Sequence, residues 1–86
     1  FDVRPTRDDA FNQLGEALGA VDGVTIASRA QLLGTYDVNY QGSDFLVRVV
    51  GLQDGSYIWA VDPRGLPATS EAAVALMADL KTRLSK

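Results

Sequence analysis

The sequence predicts a small two-layer α+β domain, in the order β-α-β-β-β-β-α, and three observations carry that prediction. Two stretches, Phe11–Val21 and Ala73–Leu84, place apolar residues at helical spacing. Several short stretches between and around them alternate apolar and polar residues, as half-buried strands do. The connections between those strands are too short for parallel crossovers, so the sheet is expected to be an antiparallel meander with both helices on one face.

The elements follow in order. In Phe1–Pro5, Phe1 and Val3 oppose Asp2 and Arg4, a short strand that Pro5 ends. Thr6 is the expected N-cap of the first helix, with Asp9 at the reciprocal capping-box position and Asp8 in the first turn, where the helix dipole favours negative charge. Ala10, Phe11, Leu14, Ala17, Leu18 and Val21 form its apolar stripe, and Asp22-Gly23 closes it. Gly15 weakens this helix by about 1 kcal/mol relative to Ala, so Gly15 and Gly19 are read as points of close helix–sheet contact.

Val24–Ser28 is a short strand and Thr35–Tyr40 a clearer one, with Tyr36, Val38 and Tyr40 on one face. Both tyrosines are assigned to the core. A turn at Gln41-Gly42-Ser43 leads to Asp44–Leu52, where Phe45, Val47 and Val49 oppose Leu46, Arg48, Val50 and Leu52. Asp54-Gly55 is a hairpin signal before Ser56–Val61. Asp62-Pro63-Arg64-Gly65 reads as a turn, with Pro63 presetting φ and Gly65 accepting positive φ. Thr69 or Ser70 caps the last helix. Its expected buried stripe is Ala73, Val74, Met77, Leu80 and Leu84, with Lys81, Arg83 and Lys86 at its C-terminal end.

Composition bounds the function. The 86 residues make one domain, 1–86, with a thin core. A net charge of −3, with two Lys and six Arg scattered along the chain, disfavours a phosphate-binding surface. With no His and no Cys, imidazole and thiolate metal sites are excluded, as are Ser–His and Cys–His nucleophile pairs. No apolar run reaches the ~20 residues of a bilayer-spanning helix. No cofactor or metal is expected, and no catalytic residue is assigned. Asp37 and Asp62 are the carboxylates to weigh for acid–base work, but nothing brings them together, and Asp62 fits a turn-forming Asp. The nine Asp show no EF-hand spacing, and Asp8-Asp9 fits helix capping. Gly15, Gly19 and Gly23 could be read as GxxxG, a weak pattern outside a membrane.

The aromatic residues of the last strand are the candidate site. Tyr57, Trp59 and Val61 oppose Ile58 and Ala60, and Ile58 and Ala60 are expected inward, because a small Ala leaves room for a helix. Tyr57 and Trp59 then lie on the open sheet face, where the preceding strand adds Leu46, Arg48 and Val50. That strip is either a partner surface or ordinary two-sided patterning in a small sheet.

The arrangement resembles a helix-grip domain of the BamC (NlpB) family, lipoproteins of the outer-membrane β-barrel assembly machinery. Phe11–Val24 is similar to the family's first helix and its turn into V-x-I, and Arg29–Tyr40, RAQLLGTYDVNY, to its Arg-x-x-x-x-Gly-x-x-x-V-x-Tyr segment. Phe45–Leu52 is similar to its next strand, and Asp62-Pro63-Arg64-Gly65 with the capped helix to its closing turn and helix. The chain departs from the pattern at Gln41–Ser43, which is short where some members carry an insertion.

The resemblance implies a non-enzymatic interaction domain, the C-terminal one of a two-domain member. Its partners would be other subunits of the assembly complex. It would be held at the outer membrane, facing the periplasm or the surface, by lipid-anchored segments outside this chain. No partner residue can be carried over, since the segment that contacts the complex's BamD subunit has no counterpart here. A small apolar-ligand-binding module is the alternative.

Overall fold

The structure, a computed structural model, describes residues 1–84. Its elements are β1 (Asp2–Val3), α1 (Arg7–Ala20), β2 (Val24–Ala30), β3 (Thr35–Tyr40), β4 (Ser43–Leu52), β5 (Gly55–Val61) and α2 (Glu71–Leu84). This is the α+β order expected. The five strands form one antiparallel sheet in the order β1-β5-β4-β3-β2. β2 to β5 are the meander, and β1 is added beyond it, on the outer edge of β5. Lys86, expected at the end of α2, lies outside the described residues.

Turn chemistry sets the register. Gln41 and Gly42 both have positive φ (53° and 79°), the signature of a two-residue type I′ hairpin. Ser43 is therefore not part of the turn but the first residue of β4, paired with Tyr40. The β2–β3 turn is braced from α1: Arg7 Nη2 donates to the carbonyls of Gln31 (2.5 Å) and Leu32 (2.8 Å).

Both helices cover one face, where Tyr36, Val38, Phe45, Val47, Val49, Ile58 and Ala60 are buried. The α1 stripe, Ala10, Phe11, Leu14, Ala17, Leu18 and Val21, is buried throughout, as its spacing predicts. Tyr36 stacks on Phe11 with ring centroids 4.4 Å apart and donates its hydroxyl to the Phe11 carbonyl at 2.8 Å. Burial pushes the Tyr36 phenol above its ordinary value of 10.0, which keeps the hydroxyl a donor. Gly15 makes this contact possible, because a Cβ there would collide with the Tyr36 hydroxyl. Tyr40 is only partly buried, at the margin of the core.

Four local expectations are corrected. Thr6 occupies the N-cap position with extended φ and ψ, but its side chain makes no capping hydrogen bond, so the capping box with Asp9 does not form. Gly19 has no atom within 4 Å of where its Cβ would stand, and is not a close-contact site. The buried stripe of α2 is Ala72, Ala73, Leu76 and Leu80, while Val74 is 59% exposed and Met77 and Leu84 only border the core. In the Ala-rich segment EAAVALMADL apolar residues occur on more than one face, and packing against α1 and the sheet selects the face that Leu76 shares with Leu80. Finally, β2 runs on to Ala30, through a register shift between Ile26 and Ser28. Of the two candidate caps for α2, Ser70 serves, its Oγ accepting the Ala73 N–H at 3.2 Å.

Candidate functional site

The sheet face away from the helices has no covering layer among the described residues. Its side chains fall into rows set by the strand register. Arg48 lies opposite Trp59 on one side and Thr35 on the other. Tyr57 lies between Val50 and Asp2, and Leu46 between Val61 and Asp37. The face is therefore divided: apolar and aromatic over β4 and β5, polar over β3 and β2.

The polar half is satisfied internally. Ser28 Oγ donates to Asp37 Oδ2 at 2.6 Å, and Asn39 Nδ2 donates to Asp44 Oδ1 at 2.8 Å. The apolar half is half-exposed, with Tyr57 and Trp59 each at 38%, Val50 at 39% and Leu52 at 52%. Tyr57 and Trp59 meet edge to face, centroids 6.0 Å apart at 70°, which holds both rings in place. Arg48 is exposed and makes no ion pair among the described residues. The structure thus brings the five residues singled out by sequence, Leu46, Arg48, Val50, Tyr57 and Trp59, onto one face, with Ile58 and Ala60 turned to the helices. Leu52 extends the patch. Val61 shares its parity but is buried, because the segment after β5 folds back along it: Val61 bridges to Pro67, and the Ala68 N–H reaches the Ala60 carbonyl at 3.0 Å.

The two carboxylates weighed for acid–base work serve structure. Asp62 Oδ1 accepts the backbone N–H groups of Arg64 (2.9 Å) and Leu66 (3.0 Å), an Asx-type turn. Its Oδ2 receives the Arg64 guanidinium at 2.9 Å. The hydrogen bond from the Arg64 side chain, helped by those backbone donors, holds the Asp62 carboxyl below its ordinary 3.8. Asp37 is the acceptor for Ser28.

Two open depressions flank the helices. One, about 1090 Å³, runs between β1, α1 and the end of α2, with Asp2, Arg4, Glu16 and Arg83 on its walls. The other, about 500 Å³, lies between α1 and the edge strand β2 and contains Ile26, Arg29 and Tyr36. This second groove was not legible in the sequence, because reading Val24, Ile26 and Ser28 as one face passes straight through the register shift. No group of three or more potential metal ligands occurs among the described residues, and no described helix is long and apolar enough to cross a membrane. Comparison with known proteins gives no matching family model and no matching curated protein.

Proposed function

We propose that this chain is a non-catalytic protein-recognition domain that docks a partner on its uncovered sheet face. The observation that carries the reading is the paired Tyr57 and Trp59 beside Arg48, Val50 and Leu46 on a surface that no other element covers among the described residues. Trp, Tyr and Arg are the residue types that dominate binding energy at protein interfaces, and a half-exposed apolar patch gains when a partner dries it. The resemblance to the BamC family supplies the setting: an accessory domain of the β-barrel assembly complex, with the other subunits as partners, tethered to the outer membrane by segments outside this chain. For the alternative, a small apolar ligand, the space between helices and sheet would have to open, and Phe11, Leu14, Leu18, Ile58 and Leu76 fill it.

A photo-crosslinking amino acid at position 59 of the full-length protein, in its own host, tests the proposal. Crosslinks to a barrel-assembly subunit, lost with Arg48→Glu, are the expected result. Crosslinks no more frequent than those from position 74, exposed on α2, would overturn it.

A further inference from the structure

The geometry points to a second, independent recognition site at the groove between α1 and β2, built to take an extended peptide carrying one acidic residue. β2 ends the sheet order, so its outer backbone edge faces no strand among the described residues. Such an edge accepts an added strand through main-chain hydrogen bonds, and side-chain contacts beside it give specificity.

The register shift in β2 shapes those contacts. Ile26 pairs with Val38 and Arg29 with Tyr36, and both partners face the helices. In an unbroken strand, residues three apart point to opposite faces; the extra residue between Ile26 and Ser28 puts Ile26 and Arg29 on the same one. Ile26 is left 37% exposed at the groove. The Arg29 guanidinium lies 5.5 Å from the Phe11 ring centroid and 5.8 Å from that of Tyr36. The guanidinium thus sits exposed beside the edges of that stacked pair, and among the described residues it has no carboxylate partner.

A planar guanidinium with its donors free matches a carboxylate in two-point fashion. Residues two apart on an extended chain share a face at about 7 Å. The fitting ligand therefore carries an apolar and an acidic residue two apart, the apolar side chain on Ile26 and the carboxylate on Arg29, which reads acidic-x-apolar on an antiparallel strand and apolar-x-acidic on a parallel one. Glu16 and Asn12, from α1, form the opposite lip, and the Glu16 charge disfavours a second acidic residue there.

The test is a random octapeptide library displayed on phage and selected on this chain, followed by polarisation binding of the selected peptides. The expected result is enrichment of sequences with one apolar and one acidic residue two apart, in a single order that reports the direction of the added strand. Their binding should fall roughly tenfold or more with Arg29→Ala, with Asn for the peptide's acidic residue, or with N-methylation of the peptide backbone. Arg29→Glu, selected separately, should replace the acidic preference with a basic one, which also shows that the variant is folded. Trp59→Arg should leave peptide binding unchanged, so the site stands or falls apart from the open sheet face. No enrichment, enrichment without charge preference, indifference to Arg29→Ala, or self-association of the chain through β2 would each overturn the assignment.

Discussion

Gly15→Ala should destabilise the domain, although Ala is the better helix former. In an open helix interior the substitution gains about 1 kcal/mol. At Gly15 the new Cβ would fall on the Tyr36 hydroxyl and 3.1 Å from Cζ of its ring. Tyr36 is tied in place, being 1% exposed, stacked on Phe11 and bonded to the Phe11 carbonyl, so moving it away breaks those contacts. Overpacking of this kind costs about 1–3 kcal/mol, and displacing the hydroxyl forfeits a hydrogen bond of about 1 kcal/mol. Set against the helix gain, the net is a loss of about 1–3 kcal/mol, or a Tm lower by very roughly 5–20 °C for a domain of this size.

Gly19→Ala is the matched control. It lies in the same helix with nothing within 4 Å, so it should stabilise by about 1 kcal/mol. Tyr36→Phe alone should cost about 1 kcal/mol. In that background Gly15→Ala should become nearly neutral, since only a few tenths of an ångström of ring movement is then required. Urea unfolding followed by far-UV circular dichroism measures all four variants. If Gly15→Ala stabilises as much as Gly19→Ala, or if its penalty is the same with and without the hydroxyl, the reasoning is refuted.

Other consequences can be checked with the same protein. Trp59 emission should be red-shifted and readily quenched by acrylamide; a blue-shifted, quencher-resistant spectrum from the isolated domain would remove the exposed-patch argument. Leu76→Ala should cost about 2–5 kcal/mol, whereas Val74→Ala, on the exposed side of the same helix, should stay within about 0.5 kcal/mol of wild type. Ser56, fully buried, donates its hydroxyl to the Pro5 carbonyl at 2.8 Å, so Ser56→Ala should cost about 1 kcal/mol and speed hydrogen exchange at Ile58, which bonds the Phe1 carbonyl. The Asp62 carboxyl is lowered in the folded state, so its contribution is present above its ordinary 3.8 and is lost as pH falls through the lowered value. Asp62→Asn should therefore be less stable than wild type at neutral pH, the difference closing in strong acid; a gap independent of pH would contradict the assigned role.

The faces of β4 and β5 and the α1 stripe were legible because period and burial agree there. Phe45, Val47 and Val49 leave only one side of β4 for Arg48, and Ala60 is a poor anchor for anything but a closely packed helix. The α2 face was not legible, since alanines flank Val74 on both sides and hydropathy does not distinguish the angles around that helix. Nor was the groove at Arg29. A single inserted residue inverts the facing of everything beyond it in β2, and nothing in Ala27-Ser28 marks it as the place. The BamC setting of the partner surface rests on resemblance, because an uncovered apolar face specifies the kind of contact and not the molecule that makes it.

The placement of β1 has a bearing on how the chain is made. β2 to β5 are joined by short hairpins and can pair as soon as each emerges, but β1 must wait for β5, the one strand it pairs with among the described residues. Asp2 meets Tyr57, and Pro5 meets Ser56, across most of the chain's length. During synthesis the first strand is thus unpaired until β5 has appeared, and α1 meanwhile carries an apolar stripe that only part of its final cover can reach. A truncation before Tyr57 would leave β1 without its partner strand and α1 without part of the sheet it covers.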